Sequence, residues 1–258
     1  MKRCVLCLAI ATALDAQTLA ERLSLVRLVR TGPRPAEASP VAAYSAAGAQ
    51  VDVVGLKSIT GTPQVWLIET HGSFSSIEAL DRALAQAAGG AGTTDPVVDE
   101  LLATSNNLIG ALRPGLSYRP EEAIRLLASA RFVLASVYRM RPGADVDFAE
   151  LMKLRRAGLD AVNLDKPEIG YQVVSGSLSG TFVFLSPLQS LQSMDQGLAR
   201  PPAYAEGLAH AGGKTGKQII SEAEITREHL LFRVEPRFSF VSDAFAAADP
   251  EFWHPASR

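Results

Sequence analysis

The sequence predicts an α+β fold of two consecutive units, each with the element order β-α-β-β-α-β, packed with one sheet against the other. Two observations support this prediction. The phrase LRPGLSYRP at residues 112–120 returns in altered form as VEPRFSFVS at residues 234–242. A second similar pair surrounds Gly61 (TGTPQVWLIE) and Gly180 (SGTFVFLSP), with nearly the same spacing as the first pair. We therefore expect an internal duplication.

The duplication divides the chain into a first repeat at residues 17–125 and a second repeat, with a C-terminal tail, at residues 126–258. Each repeat opens with a run of alternating apolar residues, LSLVRLVRTGP at residues 23–33 and RFVLASVYRMRPG at residues 131–143. Alternation of this kind is typical of a strand with one buried face. We expect each run to be the first strand of its unit.

The second repeat gives the element order most clearly. A strand is expected at Phe132–Met140, and a helix at residues 144–162, where apolar residues recur at helical spacing after a Pro-Gly turn. Two strands hinged at residues 175–180, a helix at residues 190–199 and a closing strand at residues 228–236 complete the unit. This is the order of the ferredoxin-like motif, a four-stranded antiparallel sheet with both helices on one face.

In the first repeat the equivalent of the first helix, at residues 36–47, contains Pro40 and few large apolar side chains, so we expect a short or irregular element there. Several strands carry apolar residues on both faces, as neighbouring Trp66 and Leu67 illustrate. Because the helices cover only one face of each sheet, something must cover the other. A second copy of the sheet is the simplest cover, and it can leave a cavity between the two sheets.

The first residues have the pattern of a secretory signal peptide, which we place at residues 1–16. A short positive region at residues 2–3 precedes an apolar run at residues 4–14, and small side chains allow cleavage after Ala13 or Ala16. The run is too short to span a membrane, for which about 20 apolar residues are needed. We therefore expect an exported protein, periplasmic or secreted, without a stable membrane anchor.

Composition and cysteine usage exclude several classes of function. The formal charge of −2 and the isoelectric point near 6.1 do not favour binding to nucleic acid. Both cysteines, Cys4 and Cys7, lie in the expected leader, so the mature chain would have no disulfide and no thiolate nucleophile. The four histidines lack the paired spacing of metal ligands on one element, so no metal site is predicted.

The element order, together with YRMRPGADVDFAELM at residues 138–152, resembles the dimeric α/β-barrel superfamily, which includes NIPSNAP-like proteins and antibiotic biosynthesis monooxygenase-like domains. The duplicated chain is similar to a tandem, exported bacterial form of that superfamily. Members usually pair sheets between two chains. The resemblance therefore implies an intramolecular, pseudo-dimeric α/β barrel, and we expect a monomer or a weak dimer.

The resemblance does not supply catalytic residues. Haem-degrading relatives use an Asn, a Trp and a His around the haem, but here only Trp66 and His71 share a strand, and no Asn occupies a matching place. We therefore predict no cofactor. The sequence leaves open whether the protein is an enzyme.

Glu69 and His71 are the candidate catalytic residues. They are two residues apart, so on a continuous strand they share a face with Val65 and Leu67, and that face could line the cavity between the sheets. A carboxylate beside an imidazole can orient it as a base. The alternative is that both side chains simply face water at the end of the strand, before Gly72.

Three functions remain possible on these observations. The first, which we favour here, is binding of a small apolar or aromatic molecule between the two sheets, with Trp66, Tyr138 and Phe184 as the candidate ligand-binding residues. The second is a cofactor-independent or haem-linked monooxygenase-like enzyme. The third is a structural or interaction module that acts through a surface such as the aromatic tail at residues 252–255.

Overall fold

The fold is taken from a computed structural model. It describes residues 23–32, 41–90, 106–162, 164, 166–198 and 216–254. The expected leader at residues 1–16 lies outside this part of the chain. None of the helices in the described part is long and apolar enough to cross a membrane.

Eight strands form the centre of the described structure. They are β1 Leu25–Thr31, β2 Val53–Ser58, β3 Val65–His71, β4 Asn106–Leu112, β5 Phe132–Met140, β6 Ile169–Ser175, β7 Thr181–Leu188 and β8 Glu224–Val234. Every neighbouring pair is antiparallel, and the strands close into a barrel in the order β1-β3-β2-β8-β5-β7-β6-β4. The predicted α+β class is confirmed.

Helices connect and flank the strands. They are α1 Val41–Ala46, α2 Phe74–Gly90, α3 Pro120–Leu127, α4 Asp145–Ala161, α5 Gln192–Leu198, α6 Gly216–Ala223, α7 Asp243–Ala246 and α8 Pro250–Trp253. As expected from Pro40, α1 is short. Acidic residues occupy the first turn of α4, and Pro120 begins α3, both of which favour helix initiation.

The strand order repeats along the barrel. The set β4-β1-β3-β2 is followed by β8-β5-β7-β6, in which each strand is replaced by the one four positions later in the chain. The pairs β2 with β8 and β6 with β4 join the two sets. The hairpins match as well, because Gly61 and Gly180 both adopt a positive φ, at 76° and 79°. The backbone conformation thus explains why both copies of the second repeated phrase contain glycine.

Alternate residues of the strands pack into different cores. The barrel interior is filled by a large hydrophobic cluster, to which Trp66, Val183 and Phe232 belong. Two further clusters lie outside the barrel, where helices cover the strands. One contains Leu67, and the other contains Phe184. The apolar residues on both faces of the strands are therefore explained by an interior core and an exterior one.

The first repeated phrase forms two crossing segments, at residues 113–118 after β4 and residues 235–240 after β8. Each segment leaves its own strand and bonds to the second strand of the other set. Ser117 Oγ accepts a hydrogen bond from Gly170 N, and Ser239 Oγ accepts one from Gly55 N, both at 2.9 Å.

The backbone of each crossing segment adds to this contact. Tyr118 bridges to Glu168, and Phe240 bridges to Val53. The phrase occurs twice because each set of strands has a crossing segment that bonds to the other set. Gly55 is required at its position, because a Cβ there would stand 2.6 Å from the backbone of Phe238.

Candidate functional site

The candidate catalytic residues lie on the outer face of β3. Glu69 and His71 share that face with Val65 and Leu67, as their spacing predicts, and this face packs beneath α1 and α2. The side chains therefore do not point into the barrel between the sheets. Glu69 and His71 are each about 1% exposed, so the alternative in which both simply face water is also not what the structure shows.

Glu69 is held by three neighbours. Tyr44 of α1 donates its hydroxyl to Oε1 at 2.6 Å, and Arg27 of β1 donates Nε–H to Oε2 at 2.5 Å. Arg27 also pairs with Asp81 of α2. Burial by itself raises the pKa of Glu69, but the hydrogen bond from His71 and the charge of Arg27 outweigh it and hold the pKa below its usual value. Glu69 is therefore a carboxylate.

His71 connects this carboxylate to a serine. Its Nε2 lies 3.3 Å from Glu69 Oε2, and its Nδ1 lies 3.2 Å from the hydroxyl oxygen of Ser76 in the first turn of α2. If Nε2 carries the proton and donates to Glu69, Nδ1 accepts from Ser76. The Ser76 hydroxyl has a second acceptor within reach, the carbonyl oxygen of Ser73 at 2.7 Å.

Ser76 reaches a polar cleft of about 530 Å³, which we call the Ser76 cleft. The cleft lies where β3 ends, α2 begins and the chain after β8 crosses. Its lining residues are Ala49, Gln50, Val51, Asp52, Thr70, His71, Gly72, Ser76, Phe240, Val241, Ser242 and Asp243. The His71 side chain is fully enclosed, whereas Ser76, which lies beside it, is half-buried and also lines the cleft.

The second set of strands contains a related but different arrangement. Glu168, the residue before β6, is also about 1% exposed, and Arg155 of α4 donates to its Oε2 at 2.8 Å. Ser186 of β7 donates to the same oxygen at 3.5 Å. A buried carboxylate paired with an arginine is therefore common to both halves of the barrel.

The histidine is not common to both halves. His71 pairs with the first residue of β1, as Leu188 pairs with the first residue of β5, so Leu188 occupies the place of His71. Ser193 follows Leu188 at the same distance as Ser76 follows His71. A second cleft, of about 260 Å³, is lined by Leu188 and Ser193 among others. By the same register Ser186 occupies the place of Glu69, so the fold provides the serine and the cleft twice, but the adjacent carboxylate and imidazole only in the first half.

The structure separates the three aromatic residues proposed to bind a ligand. Trp66 lies inside the barrel against Phe232, with ring centroids 4.7 Å apart. Tyr138 and Phe184 lie outside it, where both contact Phe148 of α4. The aromatic residues therefore do not form one binding surface between the sheets.

Sequence reasoning missed Ser76 and the residues that hold Glu69. Tyr44 and Arg27 come from other elements, and the sequence does not indicate that they meet Glu69. The available signal was a serine in the first turn of the helix that follows His71, at a place where the second repeat has a serine after Leu188. Among the described residues, no group of three His, Cys, Asp or Glu side chains is placed to hold a metal ion.

Comparison with known proteins identifies the fold. No protein-family model matches the sequence, and no curated protein matches it. A solved structure of a proposed monooxygenase from Fusobacterium nucleatum subsp. nucleatum is similar, with a TM-score of 0.52 and 9% identity, over 81% of this chain and 91% of that one. The chlorite dismutase from Candidatus Nitrospira defluvii, solved in complex with imidazole, gives a TM-score of 0.50 and 10% identity over 91% and 99%.

These neighbours define the class of the fold. The chain has the ferredoxin-like fold that these two structures share. At such low identity the likeness concerns the fold and not the chemistry.

Proposed function

We propose that the protein is an enzyme that acts on a small polar molecule in the Ser76 cleft and moves a proton between Ser76 and His71, which Glu69 orients. One observation carries this proposal: a buried imidazole lies between a carboxylate and the hydroxyl of Ser76, a residue that lines the cleft. A carboxylate on one ring nitrogen orients the imidazole, which leaves the other nitrogen to exchange a proton with the hydroxyl.

The contrast between the two halves supports a functional role. The fold does not require these side chains, because in the second half Leu188 stands at the place of His71 and Ser186 stands at the place of Glu69. The first cleft is also about twice as large as the second, at about 530 Å³ against about 260 Å³. A volume of about 300–1,000 Å³ is usual for small-molecule sites.

The cleft is a better candidate site than the space between the sheets. The interior of the barrel is filled by packed side chains from the strands, including Trp66. A haem-linked reaction at His71 also receives no support from this geometry. An axial haem ligand needs a free imidazole nitrogen, and both nitrogens of His71 are engaged.

The architecture supports a further part of the proposal. We infer that the chain is a tandem pair of ferredoxin-like units that form an intramolecular pseudo-dimer, because the strand order, the hairpin glycines and the crossing segments all recur. Membership of a NIPSNAP-like, exported group rests on the sequence alone, as does cleavage of the leader after Ala13 or Ala16.

Amide chemical shifts provide the test. Acetamide and glycerol, as small polar probes, are titrated into ¹⁵N-labelled protein. We expect concentration-dependent shifts at residues that line the Ser76 cleft, such as Val51, Thr70 and Gly72, and smaller ones at Gln189 and Ser190 in the second cleft. Shifts of equal size at both clefts, or none at the first, would overturn the proposal.

A further inference from the structure

We propose that Ser76 is a nucleophile that accepts the acyl group of a short-chain ester. The inference rests on the proposed function and deepens it, since it assigns a reaction to the same site. Three observations carry it: Ser76 Oγ is 3.2 Å from His71 Nδ1, His71 Nε2 is 3.3 Å from Glu69 Oε2, and Ser76 lines the cleft. A serine is a weak nucleophile unless a neighbouring base removes its proton.

The contacts define a balanced acyl transfer. Ser76 Oγ attacks the carbonyl carbon of the ester as its proton passes to His71 Nδ1, while Nε2–H remains donated to the Glu69 carboxylate. The carbon–oxygen bond to the alcohol then breaks, and the departing alkoxide takes the proton from Nδ1. Water next gives a proton to Nδ1 and attacks the acyl carbon. The carboxylic acid leaves, and Ser76 recovers its proton.

The carboxylate is fixed before any substrate binds. Tyr44 and Arg27 hold the two oxygens of Glu69, so the imidazole has an oriented acceptor at Nε2. The helix α2 begins at the cleft, where Gly72 and Ser76 are lining residues. The backbone N–H groups of a first helical turn have no partners within the helix, although that of Ser76 donates to Ser73 Oγ at 3.3 Å.

The lining of the cleft indicates the class of ester. Its charged lining residues are Asp52 and Asp243, and neither Lys nor Arg lies among its lining residues in the described chain. A negatively charged substrate would be repelled. Apolar side chains such as Val51 and Phe240 offer contact to a short acyl group. We therefore expect esters of short acids with neutral or positively charged alcohols.

Ser193 supplies a matched control within the same molecule. The Ser76 hydroxyl lies 2.7 Å from the carbonyl oxygen of the residue three positions earlier, as an alternative acceptor to His71, and Ser193 donates to the carbonyl oxygen of Ser190 at 3.0 Å. The two serines thus share a backbone setting and a carbonyl acceptor. They differ in the neighbour that would activate them, because Leu188 stands in place of His71. The inference predicts that Ser76 reacts and Ser193 does not.

Covalent labelling tests the inference. The full chain is incubated with a fluorophosphonate, and the adduct is located by tandem mass spectrometry. We expect one adduct, on Ser76, absent from Ser73, Ser75 and Ser193. Ser76→Ala should abolish it, whereas Ser75→Ala and Ser193→Ala should leave it unchanged. An unlabelled wild-type protein, or equal labelling of Ser76 and Ser193, would overturn the inference even if no variant were made.

A second measurement uses hydrolysis of p-nitrophenyl acetate. His71→Leu copies the arrangement of the second half and should lower the rate by at least about 100-fold, the effect of losing a general base. A folded His71→Leu protein that keeps its rate would contradict the inference. If acetamide or glycerol shifts the cleft resonances but no adduct forms, Ser76 is not a nucleophile, whereas the proposed function is retained. If the cleft resonances do not shift and no adduct forms, both this inference and the proposed function are contradicted.

Discussion

Glu69 is a buried charged group, and its neighbours determine whether the free-energy cost of burying it is offset. Removing an ionised carboxylate from water is costly unless it is paired and hydrogen-bonded. Arg27 supplies the charge, and Tyr44 and His71 supply further hydrogen bonds. Arg27 is balanced in turn by Asp81 at the surface. The cluster is thus a chain of charges that leads from solvent to the imidazole.

The lowered pKa of Glu69 makes its contribution to stability depend on pH. A carboxyl group whose pKa is lower in the folded than in the unfolded state stabilises the fold above its unfolded pKa, about 4.3, and loses that effect as pH falls through the folded pKa. The difference in unfolding free energy between wild type and Glu69→Gln should therefore be largest near neutral pH and shrink in acid. Urea unfolding at pH 7, 5 and 3.5 measures it.

Glu78 is the control for this prediction. It forms an exposed pair with Arg82 one helical turn away, so Glu78→Gln should change the unfolding free energy by less than about 0.5 kcal/mol at every pH. If the Glu69→Gln difference stayed constant or grew in acid, Glu69 would not be the stabilising carboxylate described above.

Tyr171 presents the opposite case, a buried polar atom without a partner in the described structure. Its hydroxyl lies within the barrel, where burial raises its pKa, and it has no hydrogen bond there. Tyr171→Phe should therefore stabilise the protein by about 1 kcal/mol in urea unfolding. Tyr118→Phe, which removes a hydrogen bond to Asp160, should destabilise it by a similar amount. Loss of stability in Tyr171→Phe would show that the hydroxyl is satisfied.

At the scale of elements, the crossing segments determine how the two sets of strands are held together. Each serine accepts from a glycine N–H of the opposite set and donates to the carbonyl four residues earlier in its own segment. One hydroxyl therefore satisfies a buried strand N–H and shapes the turn that brings it there. Because the arrangement occurs at both joins, the barrel is braced on both sides.

Removing either hydroxyl should leave a buried N–H unsatisfied. We expect Ser117→Ala and Ser239→Ala each to lower the unfolding free energy by about 1–3 kcal/mol, and the double variant to show the sum of the two effects, since the sites are far apart. Ser221→Ala, an exposed serine on α6, should change it by less than about 0.5 kcal/mol. Denaturant titration measures all four proteins. A neutral Ser239→Ala would mean that water replaces the hydroxyl.

The sequence predicts where these elements lie better than it predicts which face of a strand points into the barrel. Turn glycines, helical spacing and alternation locate most strands and helices within a few residues. The strand β3 is apolar on both faces, however, so alternation cannot distinguish the barrel interior from the helix-covered exterior. For this reason Glu69 and His71 were expected to face a cavity, and Tyr138 and Phe184 were grouped with Trp66.

At the scale of the whole molecule, closure of the barrel makes the two halves depend on each other. The interior cluster includes Leu28 and Trp66 from the first half, and Val183 and Phe232 from the second. A half by itself would expose that surface to water. The repeated phrase was visible in the sequence, but its contact with the opposite half was not, because the contact joins residues that no local pattern connects.

The molecule should therefore unfold as one unit. Its two tryptophans report on different places, since Trp66 lies in the interior beside β8 and Trp253 of α8 donates to Ala128 beyond α3. Single-tryptophan variants, Trp253→Phe and Trp66→Phe, should each show coincident midpoints by fluorescence and by circular dichroism. Two separate transitions in either variant would show that the halves are independent.

The chain after β8 has an effect that extends to biosynthesis. Residues Phe240, Val241, Ser242 and Asp243 form one wall of the Ser76 cleft, whereas the rest of that cleft comes from the first half. A ribosome makes these four residues long after His71 and Ser76 have emerged. A nascent chain that contains the whole first half therefore still lacks a complete cleft until translation has delivered these last four residues.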